Sequence, residues 1–362
     1  MNFLTINIFY LFISLIFFFV INNKYIYIKC LSNLLNNYYN ELEYNKTHCF
    51  KNKFNIFFSN NFKNYEYCNR NLKKKKKKSS KRKKKKAKQI LKGLKIVSLE
   101  ETIDEIINKN RSISRFGDGE FRLMFGISIS FQKKNKLLSK RLKNVLKSNE
   151  EGLLIGIPNS LNFEYLNKFK NRAKKFWSNF IKKYKFKMNQ LNKNKIYYSS
   201  FISRFYFDYK DISGVSKYIK KLKKIWEKKD ILIIEGEKSR LGIGNDLFNN
   251  TNSIARIICP SINAFNLYDK IFKEILKVNK KKLILLAIGP TATILAYDLY
   301  KAGYHAIDIG HVDIEYEWYL RNATTKIKIE GKFVNEAKNG KTNIKDINDK
   351  NYLNQIIAKV LK

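Results

Sequence analysis

Residues 283–310 read LILLAIGPTATILAYDLYKAGYHAIDIG. Two apolar runs, Leu283–Ile288 and Ala306–Ile309, flank a Gly-Pro-Thr turn and a helical stretch, Thr293–Lys301, that stops before Gly303. A glycine just past the last helical residue is the expected stop signal. The order strand, turn, helix, glycine, strand is that of a βαβ unit. Continuous rather than alternating apolarity suits strands covered on both faces, hence a parallel sheet. In such a unit the turn after the first strand lies at the carboxyl edge, where ligands of open α/β sheets bind. Thr291 or Thr293 could cap the helix, whose free N–H groups suit a phosphate. Gly289 and Thr291 are therefore phosphate-side candidates; equally, they could do no more than make a tight turn and a cap.

Three upstream runs extend the pattern: Gly152–Ile157 (GLLIGI), Ile231–Ile234 (ILII) and Ala255–Cys259 (ARIIC). Helical patterns lie between the runs. Residues 163–184 carry Phe169, Phe176, Trp177 and Phe180, and residues 264–278 place Phe265, Tyr268, Phe272 and Leu276 on one stripe. This alternation predicts an α/β fold, a Rossmann-like three-layer sandwich with a mostly parallel sheet. The domain is expected to span 95–340, with 341–362 a C-terminal tail holding a short helix.

Four clusters of reactive side chains fall within that span. Ser114–Glu120 (SRFGDGE) sets Asp118 and Glu120 on either side of a glycine, which lets the backbone turn both carboxylates to one point. Two adjacent carboxylates repel, and a divalent cation relieves this while reaching pyrophosphate oxygens. Glu235–Asp246 (EGEKSRLGIGND) follows the ILII run as a Gly-rich strand-to-helix loop. It matches neither the P-loop nor G-x-G-x-x-G. Its backbone N–H groups and Arg240 could still meet phosphates, and Asn245 or Asp246 a ribose or sugar hydroxyl. Asp246 could instead cap a helix. Asp308–Trp318 (DIGHVDIEYEW) packs four acids and His311 into its first ten residues. Among apolar neighbours that density is costly unless a cation binds, and His311 could ligate a metal or carry a proton. Arg204–Tyr209 (RFYFDY) follows the strand-like stretch 195–202. It offers Arg204 and Asp208 to an acceptor, against the alternative of an aromatic core segment.

The 362 residues include 73 Lys+Arg and 30 Asp+Glu, a formal net charge of +43. Such a charge suggests a polyanionic partner, but its distribution does not. Residues 1–98 hold 22 basic and 3 acidic residues, so 27 of the 30 acids lie in 99–362, where the chemistry is to be sought. Twelve of the 14 residues 73–86 are Lys or Arg, a self-repelling linker expected to be disordered. No specific nucleic-acid partner is expected. Residues 3–21 form an uncharged run rich in Phe, Ile and Leu, just long enough to cross a bilayer. We expect 1–23 to be a signal anchor or signal peptide and 24–94 a stem and poly-Lys linker. The protein then belongs to the secretory pathway, as a type II ER or Golgi membrane protein, or secreted if the N-terminus is cleaved. Four cysteines, none in a CxxC, exclude a disulfide-dense scaffold and argue against a structural zinc site.

The strings RFGDGE, GIPNS, EGEKSRLGIGNDLF, ICPSINAFNLYDKI, AIGPTATILAYDL and AIDIGHVDIEYEWYL occur in this order over residues 110–335. Together they resemble the DUF1792 glycosyltransferases, whose fold is called GT-D. The resemblance implies a Rossmann-like enzyme that moves a hexose, glucose by first expectation, from a UDP-sugar donor to a glycan or glycoprotein acceptor. It implies a D-x-E motif, here Asp118 and Glu120, and a divalent metal on it, Mn2+ or Mg2+. His311 and Glu317 also fall on family positions. On this reading Asp118, Glu120, His311, Asp313 and Glu317 are catalytic, with Glu317 or Asp313 the base if the reaction inverts. Arg115, Glu235, Ser239, Arg240, Gly242, Gly244, Asn245, Asp246, Gly289, Thr291 and Asp308 face the donor, and Arg204 and Asp208 the acceptor. The anchor, stem and linker are no part of the family pattern. Two alternatives stay open: a non-catalytic nucleotide-sugar-binding protein, and another metal-dependent nucleotide enzyme on the same scaffold.

Overall fold

Parallel strands all start at the same end of a sheet, so each must be followed by a crossover that returns the chain. The computed structural model has this arrangement in the residues it describes, which are Leu91, 93–342 and 344–362. Its strands are β1 (Lys95–Ile96), β2 (Ser112–Arg115), β3 (Leu153–Ile157), β4 (Ile196–Ser199), β5 (Asp230–Gly236), β6 (Ser253–Cys259), β7 (Leu283–Ala287), β8 (Ala306–Asp308) and β9 (Ile356–Lys359). They form one sheet in the order β1-β4-β3-β2-β8-β7-β5-β6-β9, parallel at every pairing. The helices are α1 (Leu99–Asn108), α2 (Asp118–Met124), α3 (Lys136–Lys147), α4 (Asn171–Tyr184), α5 (Val215–Lys223), α6 (Tyr268–Leu276), α7 (Pro290–Lys301), α8 (Val312–Leu320) and α9 (Lys350–Gln355).

Right-handed crossovers fix the layers. Steps toward the β1 edge, from β2 to β3, β3 to β4, β6 to β7 and β7 to β8, carry α2, α3, α4, α6 and α7 to one face. Steps toward the β9 edge, from β1 to β2 and β4 to β5, carry α1 and α5 to the other. The packing agrees: α3 lies on α7, and α1 on α5. Local sequence supports each piece. At α1, Ser98 Oγ accepts from Glu101 N at 3.1 Å while Glu101 Oε2 accepts from Ser98 N at 2.9 Å, a reciprocal capping box. The five apolar runs are all strands, and β3 is buried along its whole length.

Four strands lie outside those runs; β4 falls in the strand-like stretch 195–202, and the other three carry no such signal. β2 reads Ser-Ile-Ser-Arg, too polar to look like a central strand. Its serines are buried because they are bonded: Ser114 Oγ donates to Thr293 O at 2.8 Å and Ser112 Oγ accepts from Ala306 N at 3.0 Å. β1 is two residues long. β9 corrects the expectation of a simple tail: after the short helix α9 it pairs with β6 and closes the sheet edge. Two helices begin later than their aromatic patterns do, because Tyr165–Lys168 and Ala264–Leu267 are single 3-10 turns. The hydrophobic segment, stem and poly-Lys run fall outside the described residues. Among the described residues no helix is long and apolar enough to cross a membrane.

Candidate active site

Because every pairing is parallel, the strands' carboxyl ends share one edge, and the four sequence clusters follow β2, β4, β5 and β8 there. Arg115, at the end of β2, joins three of these segments. Its Nη2 lies 2.8 Å from Asp308 Oδ1 after β8, and its Nη1 donates to Ser203 Oγ at 2.6 Å and Ser200 O at 2.8 Å after β4. Burial pushes the Asp308 carboxyl up, and Arg115 opposes the shift. Expected on the donor, Arg115 and Asp308 neutralise each other and brace the edge. Gly310 is required here: its φ is +42°, and a Cβ would overlap Arg115 Nη2.

Asp118 and Glu120 open α2, where Gly117 is the N-cap. Glu120 Oε2 accepts from Gly117 N at 2.6 Å, reaching back over the first turn. Burial pushes Glu120 up to about 7, with Asp308 and Asp118 adding to the rise against its backbone hydrogen bonds. Asp118 is also raised by burial; Arg122 and Arg204 draw it down, and Glu336 raises it further. The closest cation to Asp118 is Arg122, with Nε 3.4 Å from Oδ2. These two carboxylates thus sit where burial outweighs the compensation nearby, the electrostatic condition a cation relieves. Among the described residues no three His, Cys, Asp or Glu side chains gather into a metal cluster. Carboxylates, with substrate phosphate and water completing the shell, are the donor type that Mg2+-like ions take; here they stand at the first and third positions of α2, and Glu120 Oε2 already accepts from Gly117 N.

The Gly-rich segment after β5 forms turns rather than a helix start, with positive φ at Lys238, Arg240, Gly242 and Gly244. Glu235 is fully buried against Arg256, Oε1 to Nη1 at 2.7 Å, and its Oε2 accepts from Leu241 N at 2.7 Å. Arg240, expected on phosphate, is buried and spends Nη1 on Gly331 O at 2.7 Å and Lys345 O at 2.9 Å. It pins the 331 and 345 segments to the loop. Ser239 N closes a turn on Gly236 O at 2.9 Å. Asp246 caps no regular helix; it pairs with Lys223 at 2.8 Å and accepts from the Tyr316 hydroxyl. Gly244 is exposed, and a Cβ there would meet nothing.

Asp313 and Glu317, expected as catalytic, lie together on α8. Both are buried on α8 and share Lys332, whose Nζ lies 2.7 Å from Asp313 Oδ2 and 2.9 Å from Glu317 Oε1. Asp313 Oδ1 also accepts from Gly242 N and Asn245 Nδ2, each at 2.8 Å; Glu317 accepts from Asn245 Nδ2 at 2.7 Å and pairs with Arg321. Burial alone would raise Glu317, but these partners, Lys332 foremost, hold it below its ordinary value. Through these bonds the pair anchors the 242–245 loop to α8.

His311 and Arg204 meet on Glu336. His311 Nε2 is 3.1 Å from Glu336 Oε1, and Arg204 and Lys326 both form ion pairs with the same carboxylate. Burial lowers His311 against the pull of Glu336. Asp208 contributes its backbone carbonyl to Lys170 N at 2.9 Å. Next to Arg204, Glu315 is buried and accepts from Tyr206 N and Phe207 N at 2.9 and 2.7 Å; burial pushes it up to about 7. After β7, Gly289 with φ +60° is the N-cap of α7 and Pro290 its first residue, so neither threonine caps the helix. Thr293 Oγ1 donates to Arg115 O at 2.8 Å, and buried Thr291 Oγ1 has no partner. The Phe131 ring stands where a Gly289 Cβ would be. Glu336, Lys332 and Lys326 were not legible as site residues: they are scattered charges in a basic stretch without a motif.

The glycosyltransferase GT-D fold family model matches residues 113–337. The chain is 39% identical over 269 residues to the glycosyltransferase GlyD of Streptococcus pneumoniae serotype 4, covering 74% of this chain and 33% of that protein. It is 39% identical over 267 residues to a probable glycosyl transferase, Gly, of Streptococcus gordonii, covering 73% and 39%. The chain thus spans little more than a third of the length of these curated relatives. A solved domain of unknown function 1792, described as having a distinct glycosyltransferase fold, superposes with a TM-score of 0.74 at 39% identity, covering 77% of this chain and all of that one. A DUF1792 glycosyltransferase from Streptococcus sanguinis superposes with a TM-score of 0.70 at 38% identity, covering 74% and 99%.

Proposed function

Since the chain belongs to the GT-D family of glycosyltransferases, we propose that it moves a hexose, glucose being the first candidate, from a UDP-sugar to a glycan or glycoprotein acceptor. The observation that carries this reading is the placement of Asp118 and Glu120 at the start of α2, directly after β2 on the carboxyl edge of the sheet. Mn2+ or Mg2+ would be held by these two carboxylates, and when bound it neutralises charge gathering on the leaving diphosphate. The chain's own residues prepare the place. The Arg115–Asp308 pair ties the segments after β2, β4 and β8 together. Lys332, through Asp313 and Glu317, fixes the 242–245 loop, and Gly117 N orients Glu120. The apolar run 3–21 supports a place in the secretory pathway, where exposed Asn110, Asn249 and Asn322 stand in N-x-S/T sites.

Incubating the full chain with Mn2+ and a panel of UDP-hexoses, and measuring released UDP, tests the reading. Asp118 is part-exposed, so Asp118→Ala should leave folding within about 1 kcal/mol while lowering turnover at least ~100-fold. Turnover retained in a folded variant removes the carboxylate from the mechanism; saturable donor binding without turnover favours the non-catalytic reading. An N-glycosidase-sensitive mass shift after expression in a eukaryotic secretory pathway is expected, and its absence would count against a lumenal domain.

A further inference from the structure

The segment following α8 folds back over the carboxyl edge and ends in a short turn, residues 334–340. The turn is closed on itself by Val334 N donating to Gly340 O at 2.8 Å and Gly340 N to Ala337 O at 3.2 Å. Its tip carries Glu336, the carboxylate that gathers Arg204, His311 and Lys326. The Arg204 guanidinium grips it as a fork, Nη2 on Oε1 and Nη1 on Oε2. That geometry serves a carboxylate and a phosphate equally well. The cluster shares the carboxyl edge with Asp118, whose carboxyl Arg204 draws down and Glu336 raises. It is not sealed, since the four side chains keep between 20% and 28% of their surface exposed. Outside the cluster the turn is held by Val334 and Ala337, both buried in the core, and by Ser130 Oγ donating to Asn335 Oδ1 at 3.3 Å. The stem is fixed separately by Lys332 and by Phe333 N donating to Lys238 O at 2.8 Å. The Glu336 side chain, part-exposed between these anchors, can therefore leave its partners while Val334 and Ala337 stay packed.

One carboxylate offers one negative charge to two fixed cations and an imidazole, and a diphosphate offers more. We propose that Arg204, His311 and Lys326 form a seat for the diphosphate of the sugar nucleotide or of the released nucleotide, and that Glu336 occupies it as an intramolecular stand-in that the ligand displaces. This rests on the reading of the site as one for a nucleotide sugar and adds the residues that take the diphosphate independently of the metal. Occupation by Glu336 lowers the apparent affinity by the fraction of molecules in which the seat is free. It also gives the departing diphosphate a competitor that helps to expel it.

The test is calorimetric titration of the full chain with inorganic pyrophosphate in EDTA. Glu336→Gln keeps the shape and removes the charge, and should bind about tenfold tighter. The double variant Arg204→Ala with Glu336→Gln should lose that gain. In the wild-type chain, saturating pyrophosphate should speed amide hydrogen exchange in residues 335–339, a readout that stands even if a variant fails to fold. Equal or weaker binding by folded Glu336→Gln, a gain that survives loss of Arg204, or exchange that slows or stays unchanged at saturation would each overturn the seat. Repeating the titration with UDP and with a UDP-hexose separates product from donor as the source of the diphosphate. A chain that releases UDP from a UDP-hexose but shows no gain in Glu336→Gln loses only this inference. A chain that shows the gain but turns over no sugar nucleotide keeps the seat and loses the glycosyltransferase reading.

Discussion

Lys332 offers the sharpest stability experiment. It is 4% exposed, and its ammonium serves two buried carboxylates at 2.7 and 2.9 Å. Lys332→Met keeps most of the apolar stem and deletes the charge. Breaking a buried ion pair by removing one partner costs about 3–5 kcal/mol. Here Asp313 keeps Gly242 N and Asn245, and Glu317 keeps Asn245 and Arg321, so the lower end, about 3 kcal/mol, applies. At roughly 2 °C per kcal/mol for a domain of this size, the midpoint should fall by about 5–6 °C. The loss must depend on pH. Glu317 is held below its ordinary value in the fold, despite burial, chiefly by Lys332. A depressed carboxyl contributes stability that is present above its unfolded pKa and is lost as pH falls through the folded one. Thermal and urea unfolding of both proteins should therefore show the full gap near pH 7 and a narrower gap near pH 4. A midpoint at pH 7 within 1 °C of wild type would refute the pairing. A gap that ignores pH would assign the loss to packing of the stem.

Two further perturbations address the edge and the acid next to Arg204. Gly310→Ala must place a Cβ against the Arg115 guanidinium at a φ that disfavours side chains; a loss of about 2 kcal/mol or more in urea unfolding is expected, and wild-type stability would mean that Arg115 does not brace Asp308. Glu315 lies at about 7 in the fold against an ordinary value of 4.5, so its contribution is fully present at acid pH and is lost as pH rises through about 7. Glu315→Gln keeps the oxygen that accepts from Tyr206 N and Phe207 N. It should match wild type near pH 4 and exceed it by up to about 3 kcal/mol near pH 8, as differential scanning calorimetry across that range would show; parallel curves would contradict a charged, buried Glu315.

The fold was legible where hydrophobicity alone determined it. The runs at 231–234, 255–259 and 283–288 lie in or overlap strands that are largely buried, as continuous apolarity in a covered parallel sheet leads one to expect. Legibility failed where a strand is stabilised by bonds to particular partners. Ser112 and Ser114 can be central only because Ala306 N and Thr293 O stand opposite them, a condition set by chain more than 170 residues away. β9 escaped for a related reason: as an edge strand it buries little, and its pairing with β6 does not show in its own sequence.

The acids pose a harder version of the same problem. In sequence Asp118, Glu235, Asp308, Asp313 and Glu317 look alike, carboxylates near glycines after strands. What separates them is whether a cation reaches them, and in a chain with 73 Lys+Arg no sequence pattern tells which basic residue will. Arg256 takes Glu235, Arg115 takes Asp308, and Lys332 takes Asp313 and Glu317. Each pairing converts a reactive-looking acid into a fastening between segments. Among the described residues Asp118 has the looser Arg122 contact at 3.4 Å and the more remote pull of Arg204, and Glu120 has backbone amides and repulsive neighbours. A free divalent cation is drawn to charge that the protein has not already neutralised. The abundance of lysine and arginine therefore sharpens the assignment: among the described residues Asp118 and Glu120 are the weakly neutralised carboxylates at the start of α2, while Glu315, also without an ion pair, is enclosed by the amides of Tyr206 and Phe207, so the first two are the ones expected to take a metal.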